Sequence, residues 1–128
     1  MYKPVFWFFI CNFFFSNFLV GQEIRTEVAD GAILRGLDKV SGKVKDIPLY
    51  SGDTAVFGSL SVLLKDCRFP INNPVGDAFV RLVINEQPEA KNIFDGWMIA
   101  SSPALNPLDH SRYDVWALRC AMADTSDE

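Results

Sequence analysis

Apolar and polar residues alternate in short runs through most of this chain, and glycine and proline break the runs apart. The alternation is clearest at Leu60–Cys67, where Leu60, Val62 and Leu64 interleave with Ser61, Leu63 and Lys65. A period of two sends successive side chains to opposite faces of a strand, so this run predicts a strand with a mostly one-sided apolar face and Cys67 at its end. Ile33–Lys39 and Lys43–Leu49 flank Ser41-Gly42 and predict a hairpin, with Pro48 weakening the second strand or placing it on a sheet edge. Further strands are expected at Thr54–Phe57, at the β-branched run Ala78–Asn85, at Ile93–Ala100 and at Tyr113–Met122. Gly96, in the middle of one of these, marks a bulge or a close backbone approach. Arg68–Asp77, with Pro70, Pro74 and Gly76, reads as a loop, and Pro88 turns the chain between two strands.

No stretch after residue 21 sustains a period of 3.6, and only Pro103–Leu108 has room for a helical turn. About six to seven short strands joined by Gly and Pro turns predict an all-β fold, a small single-domain β-sandwich or partly open β-barrel. The domain spans residues 32–122. A flexible lead-in occupies 22–31 and a solvated tail 123–128.

The amino terminus follows another pattern. Val5–Val20 is nearly all apolar, follows Lys3 and ends at the small residue Gly21, which is the pattern of a secretory signal peptide over residues 1–21. As a helix, such a block spans roughly 24 Å against a hydrocarbon core of roughly 30 Å. The expectation is a periplasmic or secreted protein beginning at Gln22, with an uncleaved anchor in the inner membrane as the alternative. Removing the signal removes seven of the 11 phenylalanines and Lys3, leaving 11 basic against 16 acidic residues. That acidity argues against a nucleic-acid partner, which requires clustered Lys and Arg. Cys11 leaves with the signal, and Cys67 and Cys120 remain. In an oxidising compartment an even pair at long separation reads as a disulfide; the rival reading is two buried thiols. A metal site lacks the short ligand spacing it needs.

The rare residues concentrate in Phe94–Cys120, where an apolar strand enters a polar, proline-marked loop and a second apolar strand leaves it. Alternation along the last strand places Asp114, Trp116, Leu118 and Cys120 on one face, so Trp116 is expected to pack near a Cys67–Cys120 bridge. Core packing is the favoured role for Trp97 and Trp116, and lining a shallow ligand groove is the other. The loop offers Ser101, Ser102, Asn106, Asp109 and His110, with Asp114 just beyond. A serine, a histidine and an aspartate raise the question of a triad, but no G-x-S-x-G elbow accompanies them, and Ser102 before Pro103 reads as a turn residue. Asp109 beside His110 offers an ion pair or an acid/base group. Anchoring the loop is the favoured role for His110, because a loop with two prolines needs partners for its backbone groups. No cofactor is implied: Gly36, Gly42, Gly52 and Gly58 read as turn glycines, not as a phosphate cradle.

Leu34-Arg35-Gly36-Leu37-Asp38-Lys39-Val40-Ser41-Gly42, Phe57-Gly58, Cys67-Arg68, Gly96-Trp97-Met98-Ile99-Ala100-Ser101-Ser102-Pro103-Ala104-Leu105 and Tyr113-Asp114-Val115-Trp116 through Cys120 together resemble one family. It is the alphaproteobacterial envelope family known only as domain of unknown function 2155. The resemblance covers about residues 33–120 and departs after His110, where Ser111 stands in place of a frequent proline. It implies an exported protein with two cysteines matching Cys67 and Cys120, and no activity or catalytic residue. The expectation is a binding module of the cell envelope. Its partner would be an envelope protein or wall component, met by Trp97, Ser101, Ser102, Asp109, His110, Tyr113 and Trp116. The membrane enters only through an uncleaved signal. The alternative is a small periplasmic hydrolase using the Ser101–Arg112 loop.

Overall fold

The structure, a computed structural model, describes residues 24–123 together with residues 2 and 4. The signal segment with its cleavage point, and the tail beyond residue 123, lie outside the described residues. Eight strands occur among those described: β1 (Thr26–Val28), β2 (Gly31–Asp38), β3 (Val44–Tyr50), β4 (Thr54–Phe57), β5 (Leu60–Pro70), β6 (Phe79–Glu86), β7 (Lys91–Ile99) and β8 (Tyr113–Ala121). They form two antiparallel sheets, not closed into a barrel. One sheet has the order β1-β5-β6-β7 with β4 also on β5, and the other has the order β3-β2-β8.

The all-β expectation holds, and the alternation explains why. Leu60, Val62 and Leu64 of β5, Val80, Leu82 and Ile84 of β6 and Leu34 of β2 are fully buried, and their odd-numbered neighbours are half-buried or exposed. Two sheets whose inner faces are apolar at period two bury those faces against each other. The hairpin forms as expected, closed by Gly42 N–H to the Asp38 carbonyl (2.8 Å). Pro48 lies on β3, an edge strand, where its missing N–H interrupts no ladder.

The lead-in is shorter than the sequence suggests. Thr26–Val28 pairs with Arg68–Pro70, Ala29 N–H donates to the Cys67 carbonyl (2.8 Å), and Ala29 is buried. Backbone pairing to the overlong β5 orders this polar segment and converts Arg68–Pro70, read as loop, into strand. Pro103–Leu108 forms turns, and the described residues contain no helix. Gly36 is not a turn residue but sits inside β2, where an added Cβ would lie 2.8 Å from the Phe57 ring.

Three one-residue bulges break the period of two. β5 carries an extra residue at Lys65, β7 at Ile93 and β8 at Leu118. A bulge reverses which face the following residues occupy. Beyond Lys65 the buried positions shift from Leu60, Val62 and Leu64 to Cys67 and Phe69. Beyond Leu118 the inward positions shift from Tyr113, Val115 and Ala117 to Cys120, partly buried against the core opposite buried Ala32. Both cysteines thus turn inward, and the Cys67–Cys120 disulfide joins the two sheets with a Cα–Cα separation of 5.8 Å. Gly96, read as a bulge or a close backbone approach, is not the bulge of β7 but a close approach, with Asn106 Nδ2 3.0 Å from where a Cβ would sit.

The Leu118 bulge corrects the placement of Trp116, and the β7 register corrects that of Trp97. Trp116 lies opposite Arg35 before the bulge, so it points away from the core and from the disulfide. Trp97 lies opposite Arg81 between buried Phe94 and Met98 and is 40% exposed on the outer face of the larger sheet. Neither tryptophan is core, and they stand on opposite outer faces.

Candidate functional site

The segment from Ala100 to Arg112 is a strap that leaves β7, the edge of one sheet, and enters β8, the edge of the other. Edge strands leave backbone groups unpaired. Here the strap meets some of them: Asn106 Nδ2 donates to the Trp97 carbonyl (3.0 Å), and Leu108 is buried between the sheets. Leu105, three residues earlier, is 73% exposed. Nothing in the spacing of two leucines in an aperiodic loop distinguishes the plug from the surface residue, so Leu108 is invisible to sequence reasoning.

One end of the strap is fixed at Asp77. The Ser101 hydroxyl donates to Asp77 Oδ2 (2.6 Å) and the Ser101 amide to Oδ1 (3.0 Å). Partial burial disfavours the Asp77 carboxylate, but these donors and the Ala78 amide more than offset it and hold its pKa below the ordinary carboxylate value. The Ser102 amide donates to the Ile99 carbonyl (3.1 Å), a turn role.

The other end is fixed around His110. Its Nδ1 accepts the amides of Arg112 and Tyr113, both at 3.0 Å, so the ring proton resides on Nε2, which donates to Glu86 Oε2 (3.0 Å). The imidazole side chain is 12% exposed, and its ring stacks at a tilt on Tyr113 with centroids 5.3 Å apart. Tyr113 in turn meets Phe57 edge-on, and the Arg112 guanidinium lies 5.3 Å from the Tyr113 ring centroid. Arg112 forms a forked pair with Asp38 (Nη2–Oδ2 3.0 Å, Nε–Oδ1 3.3 Å). That pair, helped by the Val40 and Ser41 amides, holds the Asp38 carboxyl well below its usual range. Lys39 Nζ donates to the His110 carbonyl, so the β2–β3 turn clamps the strap from outside.

These partners decide the chemistry. Ser101 belongs to Asp77, before β6, and His110 to Glu86, at the far end of β6; a strand of that length separates them by roughly 25–30 Å. Asp109 is exposed and forms no side-chain bond to His110 among the described residues. Serine, histidine and aspartate therefore do not converge. The His110 lone pair is already spent on two amides, which is the anchoring arrangement. Replacing His110 by Ala leaves two amides without an acceptor at a half-buried position, at a cost of about 1–3 kcal/mol. Chemical denaturation of the His110→Ala variant is expected to read that loss, and an unchanged midpoint would contradict the anchoring role.

The strap also makes a concavity. Pro103, Ala104 and Pro107 on one side and Asp114, Val115 and Trp116 on β8 enclose an open groove of about 410 Å³. Of the sequence-derived candidates, the structure brings only Trp116 to this groove. Ser101, His110 and Tyr113 hold the strap's two ends, Ser102 forms its first turn, Asp109 points to solvent, and Trp97 faces the other way. Asp114, which the alternation already puts on the Trp116 face just beyond the loop, lines the groove as well, but the prolines, Ala104 and Val115 were missed, because nothing in the alternation shows that the strap folds back over β8.

The family described as "Uncharacterized protein conserved in bacteria (DUF2155)" matches residues 32–120. An uncharacterized protein of Rickettsia prowazekii, RP359, is 26% identical over 87 residues, covering 66% of this chain and 56% of the relative. The chain thus spans little more than half the length of that relative. No solved structure matches it.

Proposed function

Because the chain belongs to DUF2155, a family of uncharacterized bacterial proteins whose match runs from Ala32 in β2 to Cys120 in β8, we propose that the domain is a binding module of the cell envelope, exported and working without catalysis. The observation that carries this reading is the groove. A half-buried Trp116 on an outer sheet face is walled by two prolines of a strap that is fixed at both ends. Aromatic rings at the mouth of a preformed apolar concavity supply contact area at low ordering cost. The Cys67–Cys120 disulfide supports export, because such bonds persist in oxidising compartments. Among the described residues, Ser101 and His110 are bonded to different carboxylates at opposite ends of β6, so they give the hydrolase alternative no nucleophile–base pair.

The test is affinity capture from the envelope fraction of a bacterium that carries this protein, with the wild-type mature domain and a Trp116→Ala variant as baits. Trp116 faces outward, so the variant is expected to keep the wild-type unfolding free energy within about 1 kcal/mol. The reading requires an envelope protein or wall component held by the wild type and lost by the variant. Identical retained sets would overturn it.

A further inference from the structure

We infer that the Trp116 groove takes an extended, proline-bearing segment of a partner protein, and that a lysine or arginine of that segment pairs with Asp114. This inference rests on the binding reading above and names its ligand chemistry.

The charge argument comes from the acids of the β3-β2-β8 sheet. On the same outer sheet face Asp46 is bonded to Arg35 (2.7 Å), and at the end of the strap Asp38 is bonded to Arg112 (3.0 Å). Asp114 lies between them in chain position on the paired strands, opposite Leu37. Among the described residues its carboxylate has no hydrogen bond and no ion pair, although it lines the groove. An apolar occupant covering that carboxylate would strip its water and give nothing back. An occupant bringing a cation replaces the lost hydration with a charge-assisted bond. The groove therefore selects for a positive group next to apolar surface.

The backbone argument decides the conformation of the occupant. Strand addition needs a free row of N–H and C=O groups. Pro103 and Pro107 have no N–H to offer, the Trp97 carbonyl on the β7 edge is occupied by Asn106, and the β3 edge carries Lys45 and Pro48, which resist strand pairing. A polyproline-type segment asks for no backbone ladder. It presents rings and aliphatic side chains to an aromatic wall and is already extended before it binds. Trp116 set against prolines is that kind of wall.

The experiment pans a random peptide library on the immobilised mature domain and measures the most enriched peptide against variants by fluorescence titration. The expected peptides carry proline beside lysine or arginine. Asp114→Asn should weaken the best of them by about 5- to 10-fold, and Trp116→Ala should abolish its binding. Asp114→Lys should shift the selected charge from basic to acidic; both Asp114 variants are checked by circular dichroism, and Asp114→Asn alone suffices if the lysine variant does not fold. Peptides lost with Trp116→Ala but indifferent to Asp114→Asn would overturn this inference and leave the binding reading standing. A wild-type dimer lost with Trp116→Ala would put a second copy in the groove and overturn it as well. So would a library that yields no Trp116-dependent peptide, whereas the envelope capture, which also admits wall components, judges the broader reading separately.

Discussion

Replacing Cys67 and Cys120 together by alanine is expected to destabilise the domain by about 4 kcal/mol. The bond closes a loop of 53 residues, and the loop-entropy relation for that length gives about 4 kcal/mol at room temperature. Folded domains have a total stability of only about 5–15 kcal/mol, so the loss is a large fraction of it. The thermal midpoint should fall by about 15–30 °C for a domain of this size. The position of the bond reinforces the estimate: it ties β5 of one sheet to β8 of the other, and Cys67 is fully buried. Guanidinium titrations of the oxidised protein, the dithiothreitol-reduced protein and the double variant should place the latter two together, well below the first. Coincident midpoints for all three would sink the staple, as would two free thiols per chain found by titrating denatured, unreduced mature protein.

That staple also marks where sequence pattern stops being informative. Strict alternation from Leu60 puts Cys67 on the face opposite the core, and alternation from Tyr113 does the same to Cys120. Each sulfur reaches the interior because an extra residue, Lys65 or Leu118, is accommodated two positions before it. A bulge has no composition of its own here, since a lysine and a leucine occupy the two sites. Strand identity, the hairpin, the turn at Ser41-Gly42 and the edge proline are all local, and they are readable from period and turn chemistry. Facing is not local. One undetected bulge moved Trp116 from a supposed core position to the groove, which changed the candidate site more than any residue type did.

The glycines read as turns divide in the same way. Gly42 adopts φ +75° in open space, as a hairpin glycine should. Gly58 is also a turn glycine, at φ +57°, whereas Gly36 sits inside β2, and both leave room for aromatic rings that the sequence places far away. The hub they serve joins β2, β4, the strap and β8: the Phe57 ring rests over Gly36, the Tyr113 ring over Gly58, and the two rings meet at 5.6 Å. His110 and the strap hang from this hub through the Tyr113 amide.

Gly58→Ala is accordingly expected to cost about 2–4 kcal/mol, the sum of two effects. Gly58 has φ +57°, a left-handed conformation that costs a residue with a Cβ about 1–2 kcal/mol. The added Cβ would also lie 2.3 Å from Tyr113 Cζ and 2.4 Å from its Oη, and relieving such overpacking costs about 1–3 kcal/mol. Two companion variants separate the effects. Gly42→Ala, left-handed but with nothing within 4 Å, should show only the backbone part. Tyr113→Leu removes the atoms in the way, so the double variant with Gly58→Ala should be less destabilised than the sum of the singles by about 1–3 kcal/mol. The overlap also has a structural readout. If the tyrosine is pushed aside, the amide that His110 Nδ1 accepts moves with it, and the strap between Ser101 and Arg112 should become a protease-sensitive segment in Gly58→Ala while remaining resistant in Gly42→Ala. Equal losses in the two glycine variants, with additive behaviour in the double variant, would mean that Tyr113 does not need the space Gly58 leaves and that the strap is anchored by His110 and Asp77 alone.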